Sequence, residues 1–132
     1  MNAKVLIGDY ASAVRKLEAA LRGKHDTELE RAGAIQYFEL AFELAWKSCK
    51  SRCEELGIHE IRSPKAALKE AKTQGWIRDE KPWLEMLEAR NRMAHVYSAE
   101  QAMEVYGKLP AFVAALAGLA GALGKAEGGC IS

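Results

Sequence analysis

Apolar residues recur at three- and four-residue steps along nearly the whole chain, and strand-like alternation never survives more than a few positions. Leu6, Tyr10, Val14, Leu17 and Leu21 form one stripe, predicting a first helix over Ala3–Arg22 that stops at Gly23. A second, longer helix starts at an Asp26 or Thr27 cap and ends before Gly57. Its core face reads Leu29, Ala32, Ile35, Phe38, Phe42, Ala45, Cys49, Cys53 and Leu56, widened by Tyr37, Leu44 and Trp46. About 30 residues at 1.5 Å each make a rod of about 45 Å. Its excess apolar width predicts contact with a second subunit as well as the internal core.

The second half is punctuated more often. Residues 58–62 are a connector, and Ser63-Pro64 is a helix start with Ser as cap and Pro at the first helical position. Ala67, Leu68 and Ala71 point inward on a short helix ending at Gly75, and Trp76 and Ile77 pack an elbow. Asp79 caps the next helix, with Pro82 in its first turn and a stripe of Trp83, Met86, Leu87, Met93 and Ala94. Ser98 caps the last helix, which carries Ala102, Val105, Tyr106 and Leu109 before Pro110 kinks or breaks it. Residues 111–123 continue the helical pattern as a buried face. The expected architecture is all-α: an antiparallel up-and-down bundle of four long helices plus one short, with residues 1–124 as one domain and 125–132 as a flexible tail.

Composition narrows the function classes. A chain of 132 residues, nearly half of them apolar, builds one core without metal or disulfide staples. A formal net charge of +1 makes no global case for wrapping a duplex. Three cysteines without a secretory leader point to a reducing cytoplasm. Cys49 and Cys53 sit one helical turn apart as small core residues, and the lone His25 and His59 give no zinc set, so neither metal nor cofactor is expected. The 111–123 stretch is too short for a membrane span.

Against this plain background one run stands out: Arg90-Asn91-Arg92-Met93-Ala94-His95-Val96-Tyr97. A guanidinium, a carboxamide, an imidazole and a phenol within eight residues suit phosphate chemistry. Arg90 stays charged and binds phosphate oxygens bidentately. His95 titrates near neutrality and supplies proton transfer. Asn91 donates to phosphate or holds a neighbour. Tyr97 offers a hydroxyl whose modification would place negative charge beside Arg90. Taken singly, each has an ordinary alternative. Arg90 can pair with Glu85 or Glu88, His95 can close a helix or an interface, and Tyr97 can simply pack. Arg92 reads as solvent-facing, and Phe38, Phe42, Trp46 and Trp83 read as core. On a regular helix Arg90 and Tyr97 lie nearly in line, whereas Arg90 and His95 diverge by about 140°. Either the helix unwinds near His95, or the pair works across a two-fold interface, the arrangement favoured here.

Three blocks carry a family resemblance: Phe38-Glu39-Leu40-Ala41-Phe42-Glu43-Leu44-Ala45-Trp46-Lys47, Ser63-Pro64-Lys65-Ala66-Ala67-Leu68-Lys69-Glu70-Ala71, and Trp83-Leu84-Glu85-Met86-Leu87-Glu88-Ala89-Arg90-Asn91 running into Ala94-His95-Val96-Tyr97. Together they resemble the HEPN proteins described as nucleotidyltransferase substrate-binding proteins, close to the HepT-type toxins. The resemblance runs from about Leu6 to Leu123. It implies a helical bundle, usually a homodimer, working with a cognate minimal nucleotidyltransferase as antitoxin-like partner. The HepT-like branch implies a cytoplasmic, metal-independent endoribonuclease of a toxin–antitoxin pair, with RNA as substrate and no membrane. Carried over by position, Arg90 and His95 are catalytic, Asn91 is polar support and Tyr97 accepts the silencing nucleotidylation. Two other readings stand beside it: a non-catalytic subunit presenting a substrate or nucleotide to the transferase, and a purely structural dimerisation domain.

Overall fold

The structure, a computed structural model, describes residues 2–23, 27–95 and 98–129, without the side chains at 95 and 126–129. Every regular element among these residues is helical: α1 (Ala3–Arg22), α2 (Glu28–Glu55), α3 (Pro64–Thr73), α4 (Lys81–His95) and α5 (Ala99–Gly129). The architecture is the expected all-α bundle.

The caps show why the helices start and stop where they do. The Asn2 side chain accepts from the Lys4 N–H, Thr27 from the Glu30 N–H, Ser63 from the Ala66 N–H and Ser98 from the Gln101 N–H, each satisfying an orphan donor of a first turn. Asp79 accepts from the Lys81 N–H at the head of α4. α2 and α3 end alike. Gly57 (φ +86°) and Gly75 (φ +82°) turn left-handed, and the next residue's N–H reaches back five positions: Ile58 to the Cys53 carbonyl and Trp76 to the Ala71 carbonyl.

α1, α2 and α5 form the centre of the bundle, with α3 against α2 and α4 against α5 and α3. Phe38 stacks on Phe112 of α5 with ring centroids 5.2 Å apart, and Phe42 meets Trp83 of α4 at 6.3 Å. The buried Tyr10 hydroxyl donates to the Leu116 carbonyl, pinning α1 to α5; burial holds its phenol well above the usual range. Cys49 and Cys53 are buried core thiols. Burial pushes Cys49 up strongly and Cys53 up to about 11, so both stay protonated and poorly nucleophilic.

Several details differ from the pattern-based expectation. Leu29 is 82% exposed because it lies on the side of α2 opposite Phe38, and Leu56 is exposed at the C-cap, just past the last helical residue. Ala94 is exposed, whereas Ala89 is buried beside Trp83 and Met86. α5 is not broken at Pro110. The ring removes one ladder bond, and Pro110 lies on an exposed face where water can serve the freed carbonyl. α5 continues to Gly129, through the stretch where the tail was expected to begin, while residues 130–132 lie outside the described set. The unbroken α5 is long and apolar enough to cross a membrane by length and composition. Its Val105, Leu109, Phe112, Leu116, Leu119 and Leu123 are nevertheless the core of this bundle. Arg52, only 4% exposed, was not foreseen as a core residue: it pairs with Glu55 and donates to the Leu123 carbonyl at 3.4 Å.

Candidate functional site

The buried face of α4 is Trp83, Met86 and Ala89, at three-residue steps. Anchoring that face fixes the azimuth of the next two residues. Arg90 comes out half-buried and Asn91 exposed, at the edge where α4 meets α2. α2 supplies the partner: Arg90 Nη2 donates to Glu43 Oε1 in an ion pair between side chains 32% and 30% exposed. Arg90 Nη1 donates to Asn91 Oδ1 at 3.2 Å. The alternative pairing of Arg90 with Glu85 or Glu88 on its own helix gives way to a pairing across helices. Glu88 instead faces Arg92 at 3.8 Å, on an exposed stretch where Arg92 was expected.

Glu43 is itself held from its own helix. Trp46 Nε1 donates to its other oxygen at 3.1 Å, and Lys47 Nζ lies 3.7 Å from the same oxygen. Lys47 also lies over the Trp46 ring, 5.9 Å from its centroid. One turn earlier, the Glu39 carboxyl is raised above its ordinary value by partial burial, and the nearby Arg90 charge opposes that shift. Ala32, Ile35, Gln36, Glu39, Leu40 and Glu43 line an open hollow of about 490 Å³ along this face of α2. Glu39 and Glu43 were not singled out for chemistry from the sequence. The available signal was their four-residue spacing on the polar side of the aromatic block, which put both carboxylates on one face.

α4 is regular α-helix through His95. Of the two ways to reconcile Arg90 with His95, unwinding before residue 95 is thus not what the backbone does. The rotation of about 140° between the two positions stands. The His95 side chain, and Val96 and Tyr97 altogether, lie outside the described residues. The structure brings Arg90 and Asn91 together with Glu43. Among the described residues no group of three His, Cys, Asp or Glu side chains is placed to hold a metal ion.

Known proteins resemble this chain in sequence and in fold. The family described as nucleotidyltransferase substrate binding protein like matches residues 6–125. A probable ribonuclease HepT of Haemophilus influenzae is 35% identical over 86 residues, 62% of this chain and 59% of that protein. The chain thus spans about three fifths of that relative's length. A crystal structure of a protein from Thermus thermophilus has the same fold, with a TM-score of 0.78 and 28% identity, covering 86% of this chain and 98% of that one. The match over residues 6–125 takes in all of α2, α3 and α4, with Glu43, Arg90 and Asn91, and the chain belongs to the nucleotidyltransferase substrate-binding-protein-like family.

Proposed function

We propose that this protein is the HEPN-type partner of a minimal nucleotidyltransferase and acts as a HepT-like, metal-independent endoribonuclease in the cytoplasm, as the toxin of a toxin–antitoxin pair. The carrying observation is the half-exposed Arg90 guanidinium, oriented by Glu43 and Asn91 on a helix that stays regular to His95. One straight helix cannot aim Arg90 and His95 at one phosphate. A homodimer can, because a two-fold axis brings two copies of the motif to one cleft.

In that cleft His95 takes the proton of a ribose 2′-hydroxyl, and the 2′-oxygen attacks the adjacent phosphorus. The 5′-oxygen leaves with a proton from water, giving a 2′,3′-cyclic phosphate and a 5′-hydroxyl. Arg90 binds the phosphate oxygens as charge builds on them, and Asn91 steadies the guanidinium. Tyr97 is the acceptor of a nucleotidyl group that the partner enzyme transfers from a nucleoside triphosphate, with loss of the phenolic proton and departure of pyrophosphate. The added phosphate there places negative charge near Arg90 and keeps RNA out.

Incubation of the purified chain with RNA beside His95→Ala tests the chemistry; equal cleavage by both, or none by either, sinks it. Subunit mixing tests the cleft. Arg90→Ala and His95→Ala chains, each inactive alone, regain about a quarter of wild-type activity when mixed at equal amounts, since half the dimers carry one intact composite site. No recovery on mixing contradicts the shared cleft.

A second reading has its own support. The Arg90 charge is compensated by Glu43, and the net charge is only +1, which suits a non-catalytic subunit that presents a substrate or nucleotide to the transferase. Mass spectrometry after mixing with the nucleotidyltransferase and ATP separates the two. Mass added at Tyr97 favours the toxin, and transfer only to a third molecule favours the subunit.

A further inference from the structure

We propose that Glu43 is the positioning residue of this site: it sets the direction in which Arg90 meets a substrate phosphate, and it does so at some cost in ground-state affinity. The inference rests on the reading of Arg90 as a phosphate-binding group.

An arginine on a half-exposed helix face has several rotatable bonds and, untethered, samples many directions. Here two of its five N–H donors are spent inside the chain, on Glu43 and on Asn91. Two contacts from different sides leave the planar fork one orientation, with three donors free for a phosphate. The carboxylate that does this is fixed before Arg90 arrives. Trp46 and Lys47, one turn further along α2, hold its second oxygen. Arg90 and Glu43 are 47 positions apart, on helices that also touch through Phe42 and Trp83, so the pair registers α4 against α2 at the level of the motif.

Stability is a poor reason for such a pair. Ion pairs this exposed are worth little against the entropy of holding both side chains. Geometry is a better one, because a misplacement of about 1 Å at a reacting centre can cost about a hundredfold in rate. The carboxylate also has a disadvantage, since its negative charge sits where an anionic substrate must approach. Removing the charge while keeping the shape therefore tightens binding and slows turnover, a split that a merely structural residue does not produce.

The test uses the full chain as wild type, Glu43→Gln, Glu43→Asp, Glu43→Ala, Arg90→Ala and the Arg90→Ala/Glu43→Gln double variant. Steady-state cleavage of a fluorescent oligoribonucleotide is measured beside anisotropy with its uncleavable 2′-O-methyl form, and melting curves check the fold. Glu43→Ala lowers kcat about tenfold or more without raising KM, and Glu43→Asp recovers part of the loss. Glu43→Gln binds RNA about threefold to tenfold more tightly, and that gain disappears in the Arg90→Ala background. The inference is overturned if the folded Glu43→Gln and Glu43→Ala chains stay within about twofold of wild type in both kcat and affinity. It is also overturned if the Glu43→Gln gain persists without Arg90. If the wild type binds but does not cleave, the ribonuclease reading falls, and the coupling of Glu43 to Arg90 in binding decides this one. Absence of RNA binding in every variant overturns both.

Discussion

The α1–α2–α5 core and the last turns of α4 use polar chemistry in opposite ways. In the core, Tyr10, Cys49 and Cys53 are buried and lose their reactivity: the phenol is tied to the Leu116 carbonyl, and burial raises both thiols. At the α4 edge, Arg90 and Glu43 keep about a third of their surface in water, enough to hold charge and meet a ligand. The lesson is that burial decides whether a polar group serves the fold or stays available. A buried polar group needs all its partners inside the protein, whereas a half-buried one can be oriented by the protein and still leave donors over.

Breaking the core should have the largest effect on stability. Phe42→Ala removes a fully buried ring that meets Phe38 and Trp83, and should cost about 3–5 kcal/mol in chemical denaturation. Replacing the edge residue instead should leave the fold and remove the activity. Arg90→Ala should lower RNA cleavage about a hundredfold or more, with a stability change below about 1 kcal/mol. A large loss of stability from that variant would move Arg90 to the core side of the contrast. Smaller again is the capping contribution. Ser63→Ala leaves the Ala66 N–H without its acceptor and should cost about 1 kcal/mol, read as a shift in denaturation midpoint.

The smallest expected effect sharpens the boundary between the two regions. Partial burial raises the Glu39 carboxyl, so its ionised form is disfavoured in the folded chain. As pH falls, the folded carboxyl takes its proton before the unfolded one does, and the destabilisation is relieved. The stabilising influence of this group is therefore present below the unfolded carboxylate value and lost as pH rises through the folded one. Glu39→Gln should be slightly more stable than wild type at neutral pH, and the difference should vanish in acid below the ordinary carboxylate range. Denaturation midpoints at both pH values check the sign. A Glu39→Gln chain less stable than wild type at neutral pH would show that Arg90, not burial, governs Glu39.

Much of the fold was legible because helix ends are local events. Thr27, Ser63, Asp79 and Ser98 act on N–H groups two or three residues ahead, and Gly57 and Gly75 turn the chain within one residue of where the pattern stops. The α1 bounds match the expected Ala3–Arg22 for the same reason. The misjudged positions are those whose outcome depends on a distant neighbour. Leu56 continues the stripe but falls just past the helix end, Leu29 lies on the side of α2 away from the core, and Pro110 leaves α5 unbroken because its side of the helix faces water.

The candidate site divides along the same line. The run from Arg90 to Tyr97 was visible as a run, because four different polar functions in eight residues need no structure to be noticed. The rotation between Arg90 and His95 was also computable in advance, since an α-helix turns a fixed angle per residue. Glu43 was not assignable, although its residue type and spacing were plain. Pairing residues 47 positions apart depends on how α4 lies against α2, and that is set by Trp83, Met86 and Ala89 finding their places in the core. The sequence by itself determined the helices, their ends and which chemical groups stand together on α4. Only the tertiary structure decided which carboxylate Arg90 meets and how exposed the pair remains, because helix formation is governed by near neighbours and the docking of helices by the summed packing of side chains far apart in the chain.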